Sequence, residues 1–135
     1  MTATLKSNLG LFADSLERTV VEVALKGGKQ AVAGIKQGMQ APKSGRRYGA
    51  HQASAPGESP AVKSGDLTGS LDAVQVSDSE VAVFTDDPKA ARLEFGDGRT
   101  AARPFMTGAA YELEQELPPA AVNAINELAA KLAIK

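Results

Sequence analysis

Residues 72–85 read DAVQVSDSEVAVFT, and this stretch decides the fold class. Asp72–Ser77 and Glu80–Thr85 alternate in polarity around the turn formers Asp78–Ser79. Strand side chains point to opposite faces with period two. The spacing therefore predicts a half-buried β-hairpin, in which Val74 and Val76 share one face and Val81 and Val83 share one face.

Upstream, residues 4–40 read as one long amphipathic helix or two collinear ones. Leu5, Leu9, Phe12, Leu16, Val20, Val23, Ala31, Ile35 and Met39 recur at steps of three, four and their sums. Such a helix is roughly 50 Å long, more than a chain of this size needs to cover itself. Gly27 and Gly28 each cost about 1 kcal/mol relative to Ala inside a helix, so a bend or break is expected there. Gly27, Ala31, Gly34 and Gly38 form a row of small residues that admits another backbone. Packing on the chain's own sheet is the expectation for residues 20–40, and contact with a neighbouring subunit for residues 4–16. Pro42 ends the helix.

Lys43–Lys63, KSGRRYGAHQASAPGESPAVK, has little to bury. An irregular segment of this length is uncommon inside a compact domain. The expectation is an extended arm that projects from the body and orders against a partner. Lys43, Arg46, Arg47 and Lys63 against Glu58 leave it at net +3. Residues 64–100 carry eight acids against Lys89, Arg92 and Arg99, net −5, although the whole chain is at −1. A basic arm beside an acidic body suits head-to-tail contact between copies.

Downstream of the arm, a short helical turn runs from Ser64 to about Leu71. Past the hairpin, Asp87 caps a helix with Pro88 in its first position, running through Leu93 and stopping near Gly96. Asp97–Thr100 forms a turn. Pro104 opens a helix with Phe105, Ala109, Leu113 and Leu117 (or nearby Tyr111) inward, and Pro118–Pro119 interrupts it. A last helix follows with Val122, Ile125, Leu128 and Leu132 at helical spacing. The expectation is one α+β domain over 1–135: a long helix to 42, an extended loop over 43–65, the hairpin and short helices over 66–103, and C-terminal helices over 104–135.

Composition narrows the chemistry. With no cysteine among 135 residues there is neither a disulfide scaffold nor a thiolate metal site. No secretory pattern opens the sequence, and no apolar run approaches the ~18 residues of a membrane span; a soluble product of a cytoplasm is expected. The lone histidine, His51, sits with Ser54 and Glu58 in a Pro/Gly-rich loop that offers no rigid catalytic geometry. Asp86–Asp87 before Pro88 is helix-start chemistry rather than a metal site. No enzymatic activity and no cofactor are expected. Lys43, Arg46, Arg47 and Tyr48 could hold phosphates and stack a base, which keeps a DNA-binding accessory role as the rival reading.

Two stretches carry a resemblance: ASAPGESPAVKSGDLTGSL at 53–71 and ARLEFGDGRTAARPFMTGAA at 91–110. They resemble the head–tail joining, or tail-completion, proteins of long-tailed bacteriophages. The corresponding residues are Pro56, Gly57 and Pro60; Ser64, Gly65, Leu67 and Ser70; Glu94, Phe95 and Gly96; and Arg103, Pro104 and Phe105. Lys43–Tyr48 also looks like the family's loop. The likeness covers 43–110, about half of the chain. It departs at Asp97, where the family commonly has Thr, and in lacking an aromatic before Leu93.

The resemblance implies a structural virion protein of the phage neck, assembled in the host cytoplasm. It implies a ring coaxial with the DNA channel, favoured as a hexamer. Its implied partners are the head connector or closure protein and the tail terminator or tail tube protein. Non-specific contact with channel DNA is also implied, and no membrane. A tail terminator or head-closure protein at an adjacent level of the neck is the alternative within the class. The expected interface residues are Arg46, Arg47, Tyr48, His51, Pro56, Gly57, Pro60 and Val62. Gly65, Leu67, Glu94, Phe95, Gly96, Arg103, Pro104 and Phe105 are expected to build the fold, with Phe95 and Phe105 pinning the turn between them.

Overall fold

The two glycines expected to weaken the long helix are where it packs most tightly. In the computed structural model, which describes residues 2–78 and 80–131 with side chains from residue 13, the 39-residue helix α1 (Thr2–Gln40) runs unbroken through them. A Cβ placed at Gly28 would lie 3.0 Å from Ala73 Cβ and 3.4 Å from Val83 Cγ2; one at Gly27 would lie 2.8 Å from Leu117 Cδ2. Glycine's helix cost is offset because two elements approach the same turn. Successive residues on a helix point about 100° apart, so the hairpin and the C-terminal helix flank α1 on adjacent sides.

The stripe that faces them is Val21, Gly28, Val32, Ile35 and Met39, all buried. It is rotated from the sequence expectation, which took in Val20 and omitted Val21 and Val32. Val20 is 38% exposed. The segment of contact expected at 4–16 lies, up to residue 12, outside the residues whose side chains are described.

Strands β3 (Asp72–Ser77) and β4 (Glu80–Phe84) form the expected hairpin. Ala73 pairs with Val83 and Gln75 with Val81. Opposed residues share a face, so Ala73, Val81 and Val83 turn to α1. Val74 and Val76 lie on the other face, with Val76 53% exposed. The small Ala73 is what Gly28 can accept at this distance. A register shift between Gln75 and Ser77 lets Val76 stand out of the ladder. Leu71 and Phe105 complete the core with α1.

Between arm and hairpin lies α2 (Asp66–Ser70). After the hairpin, Asp87 Oδ1 accepts the Lys89 N–H at 2.8 Å in a turn rather than as the expected cap: Lys89 is the N-cap of α3 (Ala90–Phe95), which starts two residues past Pro88 with no side-chain cap. Gly96 ends α3 at φ 74°, and its N–H bonds Arg92 C=O. Asp97 Oδ1 receives the Arg99 and Thr100 amides in the expected turn.

Helix α4 (Thr107–Lys131) starts three residues after Pro104 and is continuous through Pro118–Pro119, contrary to the expected break. The prolines withhold N–H groups from the Glu114 and Gln115 carbonyls. Both prolines are exposed, so water can satisfy those oxygens, and Leu113 and Leu117 hold this stretch against Gly27. Val122, expected inward, is 55% exposed; Ala121, Ala124, Ile125 and Leu128 are the half-buried positions. Leu132 lies outside the described residues.

Glu94 fixes where α4 begins. Its carboxylate, 8% exposed, accepts the amides of Phe105 (2.8 Å), Met106 (3.0 Å) and Thr107 (2.9 Å), and the Thr107 hydroxyl. These are donors that a helix start leaves unpaired. Burial acts to raise the Glu94 pKa, but these hydrogen bonds outweigh it and hold the carboxyl below its ordinary 4.5. Its stabilisation is therefore complete above the unfolded value and is lost as pH falls through the folded one. Among the described residues no helix is long and apolar enough to cross a membrane.

Two outcomes follow from this packing. In urea denaturation, Gly28→Leu should cost about 1–3 kcal/mol by overpacking against Ala73, whereas Gly34→Ala, with open space at its Cβ, should stabilise by about 0.5–1 kcal/mol. Glu94→Gln should cost about 2 kcal/mol at neutral pH and flatten the loss of stability below pH 4.5, measured as unfolding midpoint against pH.

Candidate functional site

The arm is built on a loop of small and polar residues, and hydrogen bonds shape it. Gly45 N–H donates to Ala53 C=O and Ala53 N–H to Arg46 C=O. A Cβ at Gly45 would meet the Ala53 and Ser54 carbonyl oxygens at 2.5 Å, so this crossing requires glycine. Beyond it, β1 (Arg47–Tyr48) and β2 (His51–Gln52) pair antiparallel. Gly49 at φ 64° takes the left-handed position of their two-residue turn.

The base of the arm is tied to the body at two places, the end of α1 and residues 102–103, and is braced internally by Glu58. Lys43 Nζ donates to Gly38 C=O (2.7 Å) and Ser59 Oγ (2.8 Å), and Ser59 Oγ donates to the same carbonyl. These bonds cap the end of α1. Glu58 accepts from the Ser44 hydroxyl, the Ala55 amide and the Ser44 amide, which hold its pKa down to about 2. Lys43 is pulled below its ordinary value by burial, against the opposing pull of Glu58. Arg103 donates through Nε and Nη2 to Ser54 C=O (3.3 and 3.2 Å), and Gly57 N–H donates to Ala102 C=O (3.1 Å). The blocks at 53–71 and 91–110, far apart in sequence, thus meet in space.

The expected residues divide accordingly. Arg46, Arg47 and Tyr48 are exposed at the tip, with the Arg46 guanidinium 5.3 Å from the Tyr48 ring centroid, a cation–π distance. Arg47 makes one long contact to Gln52. Pro56 and Val62 are exposed, Gly57 sits at φ 85°, and His51 is half-buried beside Ser54 and Lys63 in a cavity of about 200 Å³. Pro60 is buried, so it packs the arm onto the body and is not available on the surface. The arm as a whole lies along the body rather than projecting free, because Lys43, Ser54, Gly57 and Ser59 find polar partners there. Nothing in the local sequence around Ser44 or Ser54 signals those long-range bonds.

Of the fold-building residues, Gly65 takes φ 85°, Leu67 packs against the core and Phe105 is in it. Gly96 is pressed against residues 100–102, and Pro104 is exposed. Phe95 departs from expectation: it is 78% exposed and pins nothing. The turn is held instead by Glu94 and by the Arg103 N–H to Leu93 C=O bond, which leaves the Phe95 ring at the edge of an apolar groove. That groove, about 680 Å³, runs between β4 and α4 over Ala24–Ile35 of α1. No cluster of metal-ligating side chains occurs among the described residues.

Comparison with protein-family models, with curated proteins and with solved structures gives no match to this chain.

Glu58 braces the arm internally, independently of the core. Glu58→Ala should speed amide hydrogen exchange at Ser44 and Ala55 by about tenfold or more, leaving the amides of α1 and β3 unchanged, since local opening is separable from global unfolding. The Glu58 carboxyl should titrate near 2 by NMR, so the anchor is intact above pH 4.5 and weakens below it.

Proposed function

We propose that this chain is a non-enzymatic structural protein of the neck of a tailed bacteriophage, which completes the tail end and joins it to the head connector by assembling as a ring. The resemblance over 43–110 supports this reading. One structural observation carries it further: the resembling blocks bond to each other through Arg103–Ser54 and Gly57–Ala102, and the arm they anchor ends in the exposed Arg46, Arg47 and Tyr48.

In this reading the fold supplies a rigid base and the arm tip supplies recognition. Arg46 over Tyr48 gives a flat, cationic surface that suits carboxylates of a neighbouring subunit. The acidic stretch at 64–100 provides such groups on the next copy. A ring built this way uses two different surfaces of each subunit, a heterologous contact that closes by rotation. The head connector or closure protein and the tail terminator or tube are the proposed neighbours, with channel DNA touched through charge alone.

The test is electron microscopy of particles made with this gene silenced and then supplied as variants. Silencing should leave DNA-filled heads beside separate tails of normal length. The charge reversal Arg46→Glu with Arg47→Glu should fold as the parent by circular dichroism yet fail to restore joining. Infectious particles without the gene would remove the neck reading. Salt-sensitive binding of the isolated chain to duplex DNA would then favour the DNA-binding role. Loss of folding in the charge-reversed chain would remove the arm tip from the interface.

A further inference from the structure

Two apolar features of the molecule are complementary. The first is the beginning of α1. From Ala13 to Val20 no residue of α1 is buried, and its buried positions start at Val21. The sequence nevertheless keeps helical apolar spacing upstream at Leu5, Leu9, Phe12 and Leu16, with Lys6 the lone charged side chain before Asp14. Helices α1 and α4 run antiparallel: Gly38 and Gly34 share a cavity with Pro104 and Gly108, Gly27 meets Leu113 and Leu117, and Val23 shares a cavity with Ala124 and Glu127. At equal rise per residue, this register brings Lys131 level with roughly residue 13 of α1. The first turns of α1 therefore run on past the described end of α4.

The second feature is the groove between β4 and α4. Val81, Val83, Ala91, Ala110 and Leu113 line it, and Phe95 stands exposed at its edge. At about 680 Å³ it is of the size that buries a sizeable apolar group. Its α4 lip carries the exposed Glu114; Glu112 and Glu116 of the same helix border a separate cavity beside Gly27 and Gly34. Arg92 is the base on the neighbouring α3. An apolar helix with one lysine and no acid over residues 2–13 complements that lip in charge, and its N-terminal dipole end favours nearby carboxylates.

We propose that the first three turns of α1 from one copy dock in the groove between β4 and α4 of the next, with Phe95 closing over them. The occupant must come from another copy. The groove lies over Ala24–Ile35 of α1, and a continuous helix cannot carry its own first turns back onto its later ones. Donor end and acceptor groove are different surfaces, so each copy gives one and receives one, the condition for a ring. The inference deepens the neck reading by naming a second contact between copies beside that of the arm tip, and rests on that reading for the closed ring.

Disulfide trapping tests it cleanly, because the chain has no cysteine. Leu9→Cys with Ala91→Cys in the full chain, oxidised in concentrated solution, should give a ladder of linked dimers, trimers and larger species. The two single variants should stop at dimers. Adding Phe95→Glu, a change at an exposed position, should cut the ladder about tenfold with circular dichroism unchanged. Monomer alone, an intrachain link, or a ladder indifferent to Phe95→Glu would overturn the docking. Separate heads and tails on silencing, together with no ladder, would leave the neck reading and remove this contact. A ladder together with infectious silenced particles would do the reverse.

Discussion

The fold depends on how closely two layers can approach one turn of α1. Gly27 admits Leu113 and Leu117 of α4, and Gly28 admits Ala73, Val81 and Val83 of the hairpin. A two-stranded hairpin is marginal in water by itself, so β3 and β4 rely on the face that α1 offers. The helix bears the cost of two adjacent glycines, and in return both neighbours pack at van der Waals distance along the buried Val21–Met39 stripe. Because the two contacts are about one residue apart on the helix, they leave a wedge between β4 and α4, and that wedge is the apolar groove.

Glu94 is the second constraint, and it works by polarity rather than packing. A buried carboxylate is costly unless hydrogen-bonded, and this one takes up the amides that the start of α4 leaves free. It locks α3, the return over 101–106 and α4 together. The same return carries Ala102 and Arg103, which hold Gly57 and Ser54 of the arm. The arm's position is thus set by the element that Glu94 orders, with Lys43 and Ser59 fastening its other side to the end of α1 and Glu58 bracing it internally. These bonds leave the tip, Arg46–Tyr48, and the aromatic ring of Phe95 exposed, and the functional reading places recognition at these two points.

Much of this was legible in the residues. Period-two spacing over 72–85 foretold the hairpin, apolar steps of three and four foretold α1, and Asp87–Pro88 and Gly96 foretold the bounds of α3 to within about two residues. These are local properties: strand alternation, helical periodicity, caps and turns depend on neighbours in the chain. The site was half legible. Arg46, Arg47 and Tyr48 stand out as basic and aromatic residues in a segment with little to bury, whereas the anchors Ser44, Ser54, Glu58 and Ser59 look like ordinary polar loop residues.

By itself, then, the sequence determined the α+β class, the element order, the absence of thiol chemistry and the charged character of the arm. Tertiary structure alone decided which faces are inner. Val76 and Val122 have the spacing of core residues yet stand in water; Val76 lies on the hairpin face opposite Ala73, which fits the close approach to α1 that Gly28 allows. It also decided that α4 continues through Pro118–Pro119, since exposed carbonyls can bond water while Leu113 and Leu117 stay packed. Finally it placed Phe95 outside and Glu94 inside, the reverse of what polarity suggests. A carboxylate can be buried where three amides and a hydroxyl converge on it, and that convergence exists only once residues far apart in the chain have met.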